Sequence, residues 1–125
     1  MCYFKWDATQ ILINLGASNW RSMLTLGFHK GLGPGVYSHD DREYFEWEGD
    51  TDWHHIATVF PEGAKQSNEF LFYLDGVLQE ETFMDDDVNG LNFKGGVINI
   101  ACAVNISAFF KGIIDEVAVF PFAMP

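Results

Sequence analysis

The sequence predicts an all-β protein, a two-sheet antiparallel β-sandwich of the jelly-roll type. Short segments rich in β-branched and aromatic residues follow one another along the chain, and clusters of Gly, Asp, Asn, Pro or Ser separate them. No segment shows a sustained apolar period of about 3.6 residues, which an amphipathic helix requires. About ten short strands without a helix are typical of a sandwich or jelly roll.

The predicted strands run from the first residues to the last. In the first half they are 2–7 (CYFKWD), 10–16 (QILINLG), 22–29 (SMLTLGFH), 35–38 (GVYS) and 43–48 (EYFEWE). In the second half they are 53–60 (WHHIATVF), 69–74 (EFLFYL), 77–83 (VLQEETF), 96–103 (GVINIACA) and 112–120 (GIIDEVAVF). Between two of these strands, Asp75 and Gly76 predict a two-residue hairpin, because both residue types tolerate the positive φ angles of a type I′ turn.

The length of the chain predicts a single domain over residues 1–125. A domain of this size buries about two-thirds of its unfolded surface. Hydrophobic residues make up 48% of the chain, and twelve of them are Phe. Each Phe removed from water contributes about 1.5–3 kcal/mol, so the sequence contains enough apolar material for one large core.

The charge balance limits the classes of partner. The chain has 7 basic and 18 acidic residues, a net charge of −11. Such a surface is repelled by phosphate backbones and by anionic membrane surfaces. No apolar run approaches the roughly 20 residues of a membrane span. We therefore expect neither nucleic acid binding nor membrane insertion.

The two cysteines, Cys2 and Cys102, lie far apart and in no metal-binding spacing. We expect two buried free thiols in neighbouring strands, and one disulfide between them is the alternative. The first residues, MCYFKWD, lack the basic segment and long apolar run of a signal peptide.

Four blocks of the sequence resemble the LamG-like jelly-roll domains of the concanavalin A-like lectin/glucanase superfamily, which include laminin G and pentraxin relatives. These blocks are DTDWHHIATVF (50–60), FLFYLDGVLQ (70–79), GVINIA (96–101) and FFKGIIDEVAVFPFAM (109–124). The resemblance implies a concanavalin A-like fold and an extracellular or cell-surface setting. It does not specify an activity, because the superfamily contains enzymes, lectins and adhesion modules.

The beginning of the chain departs from the family pattern. Family members usually have one or two strands before the segment that corresponds to 2–7, whereas here the sequence starts at Met1. An antiparallel sheet without such a strand exposes a row of unpaired N–H and C=O groups. The hypothesis is a homodimer through this exposed sheet edge. A trimmed family member and a fragment of a longer protein are the alternatives.

The segment FEWEGDTDWHH raises the question of catalysis. Its carboxylates, Glu46, Glu48, Asp50 and Asp52, occupy alternate positions, as acidic residues do in glucanases of the superfamily. In a retaining enzyme two such groups lie about 5–5.5 Å apart. Here Gly49 breaks the strand, the central Asp of the glucanase pattern is missing, and EGDTD has the composition of a turn. The segment therefore favours a polar strand face that runs into a loop, with no catalytic residues.

The histidines of the same segment point to structure as well. Neighbours on a strand face opposite sides, so His54 and His55 cannot both bind one metal ion from a strand. We expect one of the pair to contact a backbone or carboxylate partner and the other to be more exposed. Zinc binding with His29 or His39 is the less favoured alternative.

Calcium is the stronger metal candidate, because the resemblance implies relatives that use it to bind ligands. In pentraxins an acidic cluster follows the strand equivalent to GVINIA, whereas here CAVNISAFFKG contains no Asp or Glu. Two other acidic loops, SHDDRE and MDDDVNG, offer the carboxylates that calcium prefers. The candidate ligands are Asp40, Asp41, Asp85 and Asp86. A solvated turn is the alternative interpretation of both loops.

Sugar binding requires an exposed aromatic ring beside polar side chains that can pair with hydroxyl groups. The candidates near loops or on half-polar strands are Asn19, Trp20, Arg21, Tyr37, Arg42 and Trp47. Core packing is the alternative role for the aromatic members. Asp115 and Glu116 follow the family pattern, and for them we expect structural pairing with His55 or a loop amide.

Together these observations predict a non-catalytic recognition module that binds a carbohydrate or a protein partner through a sheet face or a loop rim. A structural or oligomerisation module without a small ligand is one alternative, and a degenerate glycoside hydrolase is another. No cofactor other than calcium is expected.

Overall fold

Nine strands form two antiparallel sheets in a computed structural model of the chain, which describes residues 9–16, 23–29, 33–38, 41–64, 69–85, 97–102 and 108–121. The strands are β1 (Gln10–Gly16), β2 (Met23–His29), β3 (Gly33–Ser38), β4 (Asp41–Tyr44), β5 (Ile56–Val59), β6 (Leu71–Leu74), β7 (Val77–Leu78), β8 (Phe83–Asp85) and β9 (Val97–Ile100). The larger sheet has the order β8-β4-β3-β2-β1-β9, and the smaller has the order β5-β6-β7. This arrangement confirms the predicted antiparallel sandwich.

Several strands are shorter than the sequence predicts. The strand expected over 43–48 ends at Tyr44, and the strand expected over 53–60 begins at Ile56. Between them Gly49 has a φ of 77°, and the N–H of Asp52 donates to Oδ1 of Asp50 at 2.7 Å. This local hydrogen bond replaces strand pairing with a turn, as the composition EGDTD indicated.

The expected strands over 77–83 and 112–120 are wrong. The first is divided, because Val77–Leu78 pairs with β6 in the small sheet and Phe83–Asp85 pairs with β4 in the large sheet. Residues 112–120 form no strand. Glu116 has a φ of 52°, and its N–H donates to Oδ1 of Asp115 at 2.8 Å, which removes it from extended geometry. The strand expected over 2–7 lies outside the described residues.

The predicted Asp-Gly hairpin is confirmed. Asp75 and Gly76 have φ angles of 51° and 79°, and Leu74 pairs with Val77 across the turn. Positive φ at both central positions gives the turn a twist that matches the flanking strands. Two residues after β9, Cys102 is a free thiol, as expected, but it is half-buried and lies outside the strand. Cys2 lies outside the described residues.

The core lies between the two sheets. Its buried members are Val36 from β3, Phe45 just after β4, and Phe70 and Phe72 from the β6 region. The ring centroids of Phe45 and Phe72 are 5.8 Å apart, a distance at which tilted aromatic pairs attract each other. Leu24, Leu26, Trp47 and Leu74 pack against this cluster. Within the described residues no helix is long and apolar enough to cross a membrane.

Replacing Phe72 with Ala tests this core. Phe72 is completely buried at the contact between the sheets, so its removal loses both transfer free energy and packing. We expect Phe72→Ala to lower the free energy of unfolding by about 3–5 kcal/mol in urea denaturation. Val77→Ala is the control, because Val77 is largely exposed and should change stability by less than about 0.5 kcal/mol. Similar losses in both variants would contradict the assigned core.

Candidate functional site

His54 lies between two carboxylates from different parts of the chain. Its Nδ1 is 2.7 Å from Oδ2 of Asp75, and its Nε2 is 2.6 Å from Oδ1 of Asp50. Asp75 also accepts the N–H of His55 at 2.8 Å and donates its own N–H to the His55 carbonyl at 2.8 Å. The hairpin, the entry to β5 and the preceding turn are therefore joined in one Asp50–His54–Asp75 cluster.

The electrostatics of this cluster follow from its hydrogen bonds. Contact with Asp75, and then with Asp50, raises the pKa of His54. The pKa of Asp50 is lowered chiefly by His54, and that of Asp75 chiefly by the His55 N–H and then by His54. The two Asp side chains are 45% and 49% exposed, so water screens these interactions and the ion pairs are weak ones.

The geometry of His54 disfavours catalysis and metal binding. Both ring nitrogens contact carboxylates, which leaves neither nitrogen open to a substrate proton or a metal ion. The Trp47 ring packs edge-on against the imidazole, with centroids 4.8 Å apart. His55 is exposed, as expected for the second member of the pair. The cluster holds the turn at Asp50, the entry to β5 and the β6–β7 hairpin together through hydrogen bonds.

The described residues contain no group of three or more His, Cys, Asp or Glu side chains that could hold a metal ion. For the zinc alternative, His29 lies in β2, the ring nitrogens of His54 already contact carboxylates, and His39 is outside the described residues. Among the candidate catalytic carboxylates, Glu46 and Glu48 are exposed on irregular chain, and Asp50 is bound to His54. Asp115 pairs with a loop amide, the N–H of Glu116.

Part of the predicted ligand set comes together on the large sheet. Tyr37 is the cross-strand partner of Arg42, and Arg42 is the partner of Asp85. Directly opposed residues in antiparallel strands share a face, so these positions form one row across β3, β4 and β8. Of the remaining candidates, Asn19, Trp20, Arg21, Asp40 and Asp86 lie outside the described residues.

The same row continues across the sheet as a polar line. Thr25 pairs with Tyr37, Asn14 pairs with Thr25, and Asn99 pairs with Asn14. Asn14 and Thr25 are buried, and Nδ2 of Asn14 donates to the Thr25 hydroxyl at 3.3 Å. The centre of the row is therefore closed to solvent.

Trp47 packs on the core side of the structure. It is half-buried and packs against the core cluster, and its ring centroid is 6.3 Å from that of Phe28. The core cluster lies between the sheets and includes Val36, which alternates with Tyr37 along β3. The structure does not bring Trp47 into the row that contains Tyr37 and Arg42.

Sequence reasoning missed two aromatic residues of this region, Tyr44 and Phe83. They are cross-strand partners whose stacked rings have centroids 5.7 Å apart. Each lies two residues from a member of the Arg42–Asp85 pair, so all four positions share one face. The alternation of Arg42 and Tyr44 was visible in the sequence, but the pairing of β4 with β8 was not. We call Tyr37, Arg42, Tyr44, Phe83 and Asp85 the β4–β8 patch.

The two acidic segments proposed for calcium each border a strand, and these two strands pair with each other. β4 begins at Asp41 and β8 ends at Asp85, and the two strands are antiparallel with Arg42 opposite Asp85. Sequence analysis treated the segments as separate candidates. Residues 39–40 and 86–90, which make up the rest of them, lie outside the described residues.

On the other face of β4, Glu43 is an acid buried in the core side of the sheet. It is 3% exposed, pairs with Val36 and Met84, and has no hydrogen-bond partner at Oε2. Burial raises the pKa of its carboxyl, and a hydrogen bond with the Thr82 side chain opposes that rise. Ionisation of Glu43 therefore costs free energy. Its position lies on the opposite face of β4 from the β4–β8 patch, so it does not take part in the patch.

A protein-family model matches most of the chain. The laminin G model described as the concanavalin A-like lectin/glucanases superfamily matches residues 6–125. No curated protein and no solved structure gives a significant match to the chain.

The cluster predicts a particular pH dependence. Because the pKa of His54 is raised, its contribution to stability is full below the ordinary His pKa of about 6.5 and is lost as the pH rises through the raised value. The lowered pKa values of Asp50 and Asp75 add a contribution that is present above about pH 3.9 and lost as the pH falls. We expect His54→Gln to destabilise most between these limits, measured by urea denaturation across pH.

His55→Gln is the matched control for that series, because the His55 ring is exposed and its charge is only the smallest of the causes that lower the pKa of Asp75. It should change the profile much less than His54→Gln does. A His54→Gln effect of the same size at every pH would contradict the role assigned to the cluster.

The burial of Glu43 leads to a prediction about how stability depends on pH. Since its pKa is raised, the folded state loses stability as the pH rises above the ordinary Glu value of about 4.3. We expect Glu43→Gln to gain stability relative to the wild type over that rise, in the same denaturation series. Glu46→Gln is the control, because Glu46 is exposed. A constant difference between Glu43→Gln and the wild type at all pH values would disprove the prediction.

Proposed function

Because the chain belongs to the concanavalin A-like lectin/glucanase superfamily, we propose that it is a non-catalytic recognition module that binds a carbohydrate at the β4–β8 patch. The observation that supports this proposal is the stacked pair of Tyr44 and Phe83, next to the Arg42–Asp85 pair on one face. Phe83 is 39% exposed, so part of its ring is available to a ligand.

The chemistry of the patch suits a sugar ring. The C–H face of a pyranose is apolar and packs on an aromatic side chain, which buries a large area in one contact. Sugar hydroxyl groups both donate and accept hydrogen bonds. The residue types at 37, 42 and 85 supply a phenol, a guanidinium with five donors and a carboxylate acceptor. Such a set provides a donor for the oxygen and an acceptor for the hydrogen of each sugar hydroxyl group.

Calcium is a second element of the proposal. A calcium ion takes six to eight oxygen ligands, several of them carboxylates from loops. Asp41 begins β4 and Asp85 ends β8, and in the sequence Asp40 precedes Asp41 and Asp86 follows Asp85. An ion held here would lie at the Asp85 end of the patch, where it would also coordinate hydroxyl groups of the sugar.

Catalysis is the less favoured alternative. A retaining glycosidase needs two carboxylates about 5–5.5 Å apart across the scissile bond. Asp50 and Asp75 are held on either side of His54, and Glu46 and Glu48 lie on exposed irregular chain. These positions favour a binding role over a degenerate hydrolase. Release of new reducing ends from an oligosaccharide by the purified protein would reverse this preference.

The first test is a glycan-array screen, run once with calcium and once with a chelator. Binding that needs calcium supports both the patch and the acidic loops. Binding that survives the chelator supports the aromatic and polar side chains alone. A blank array from folded protein contradicts the proposal and leaves a protein-binding or structural module.

The second test uses two partly exposed phenylalanines on different sheets. Phe83 is in the patch, whereas Phe60 follows β5 in the small sheet and stacks on Phe70. We expect Phe83→Ala to weaken glycan binding about tenfold, since an aromatic contact contributes on the order of 1.4 kcal/mol. Phe60→Ala should leave the affinity unchanged, and equal losses in both variants would place the ligand elsewhere.

A further inference from the structure

A groove lies beside the segment that carries the chain from the small sheet to the large one. This segment joins β7, which ends at Leu78, to β8, which begins at Phe83. The groove has a volume of about 490 Å³, within the range of about 300–1,000 Å³ that is typical of ligand sites. Its apolar lining consists of Phe45, Val77, Leu78 and Phe83.

A second hollow adjoins this groove. Its volume is about 370 Å³, and three of its lining residues, Leu78, Gln79 and Glu80, also line the groove. Phe70 and Leu71, where β6 begins, add to its apolar lining. Because the two depressions are adjacent, one linear ligand can occupy both.

The rest of the groove lining is polar and mostly acidic. It consists of Gln79 and three exposed glutamates, Glu46, Glu80 and Glu81. Among the described residues, none forms an ion pair with these glutamates. Like charges around one groove repel each other, so a cation bound there would lower that repulsion.

The chain around the groove carries no compensating positive charge. The described residues 43–64 and 69–83, which include the whole lining of both hollows, contain ten acidic residues and no Lys or Arg. All seven basic residues of the chain lie elsewhere in the sequence. The field of this region therefore attracts cationic molecules and repels anionic ones.

We propose that the groove binds a basic peptide segment of a partner protein. Lys and Arg side chains combine a methylene stem, which packs on apolar surface, with a charged end that stays in water. Here the stems would lie on Val77 and Leu78, and the charged ends would reach Glu80 and Glu81. Phe83 is 39% exposed, and an aromatic ring also attracts a cation. An amino sugar has the positive charge without the stem, so it fits this lining less well.

The test measures the fluorescence anisotropy of a fluorescein-labelled peptide of alternating Arg and Ala residues. We expect saturable binding that weakens about tenfold when NaCl rises from about 50 mM to about 500 mM, because salt screens exposed charges. A second peptide, with Glu in place of Arg, should not bind. Absence of saturable binding of the Arg peptide, or equal binding of the Glu peptide, would overturn the proposal.

Two double variants separate the groove from the overall charge of the protein. Glu80→Gln with Glu81→Gln removes two charges from the groove, whereas Glu48→Gln with Glu62→Gln removes two exposed charges that line neither hollow. The first pair should weaken binding of the Arg peptide about fivefold, as expected for two exposed ion pairs. The second pair should change the affinity less than about twofold. Equal losses would mean that the peptide responds to net charge alone, which contradicts a site in the groove.

Val77→Ala tests the apolar lining. Val77 is 63% exposed, so the variant should remain folded while binding of the Arg peptide weakens several-fold. An unchanged affinity would contradict the role of the lining. A chitosan oligosaccharide that binds more tightly than the Arg peptide would assign the groove to an amino sugar and overturn the peptide proposal.

The proposal does not depend on a glycan at the β4–β8 patch. Phe83 belongs to the patch and also lines the groove, so the variants chosen here leave it intact. A blank glycan array together with saturable peptide binding would contradict the glycan site alone. Glycan binding without peptide binding would contradict the peptide site alone.

Discussion

The carboxylate of Asp75 is the contact on which the small sheet depends. It lies in the turn between β6 and β7 and binds both the backbone of His55 and the ring of His54 at the entry to β5. Through His54 it also reaches Asp50, on the chain that leaves the large sheet. One turn residue, chosen for its backbone conformation, therefore also fixes how the chain passes from one sheet to the other. The core residues Phe45 and Phe72, which come from the two segments that this path joins, have ring centroids 5.8 Å apart.

This double role explains why the acidic residues and histidines after Phe45 resemble a catalytic or metal site in the sequence. In the fold they make hydrogen bonds that join chain segments. A functional histidine needs a nitrogen free for substrate or metal, and His54 has both nitrogens engaged. Because the cluster is exposed, water weakens its ion pairs. The cluster therefore orients the segments that it joins more than it adds to the free energy of unfolding. It aligns the turn, the histidines and Trp47 with one another.

The fold was predictable from the sequence where its determinants are local. The candidate site was not, because it depends on the pairing of strands that are far apart in the chain. Asp75-Gly76 specifies its own turn, and the β-branched and apolar residues of 10–16 specify a strand, so both were found. The residues after Leu78 leave one sheet and join the other, and no local signal marks that transfer. The partnership of Tyr44 with Phe83 was invisible for this reason. In 112–120 the strand propensity was real, but the positive φ of Glu116 overrides it.

The order of the large sheet has a consequence for the kind of ligand that the proposed patch would hold. The β4–β8 patch lies at one edge of the six-stranded sheet, and Asn14 and Thr25, at the centre of the same row, are buried. A sugar bound at the patch would therefore find no open polar surface at the centre of the sheet. Such a site would hold one or two sugar units at the sheet edge, and it would not hold a long chain laid across all six strands.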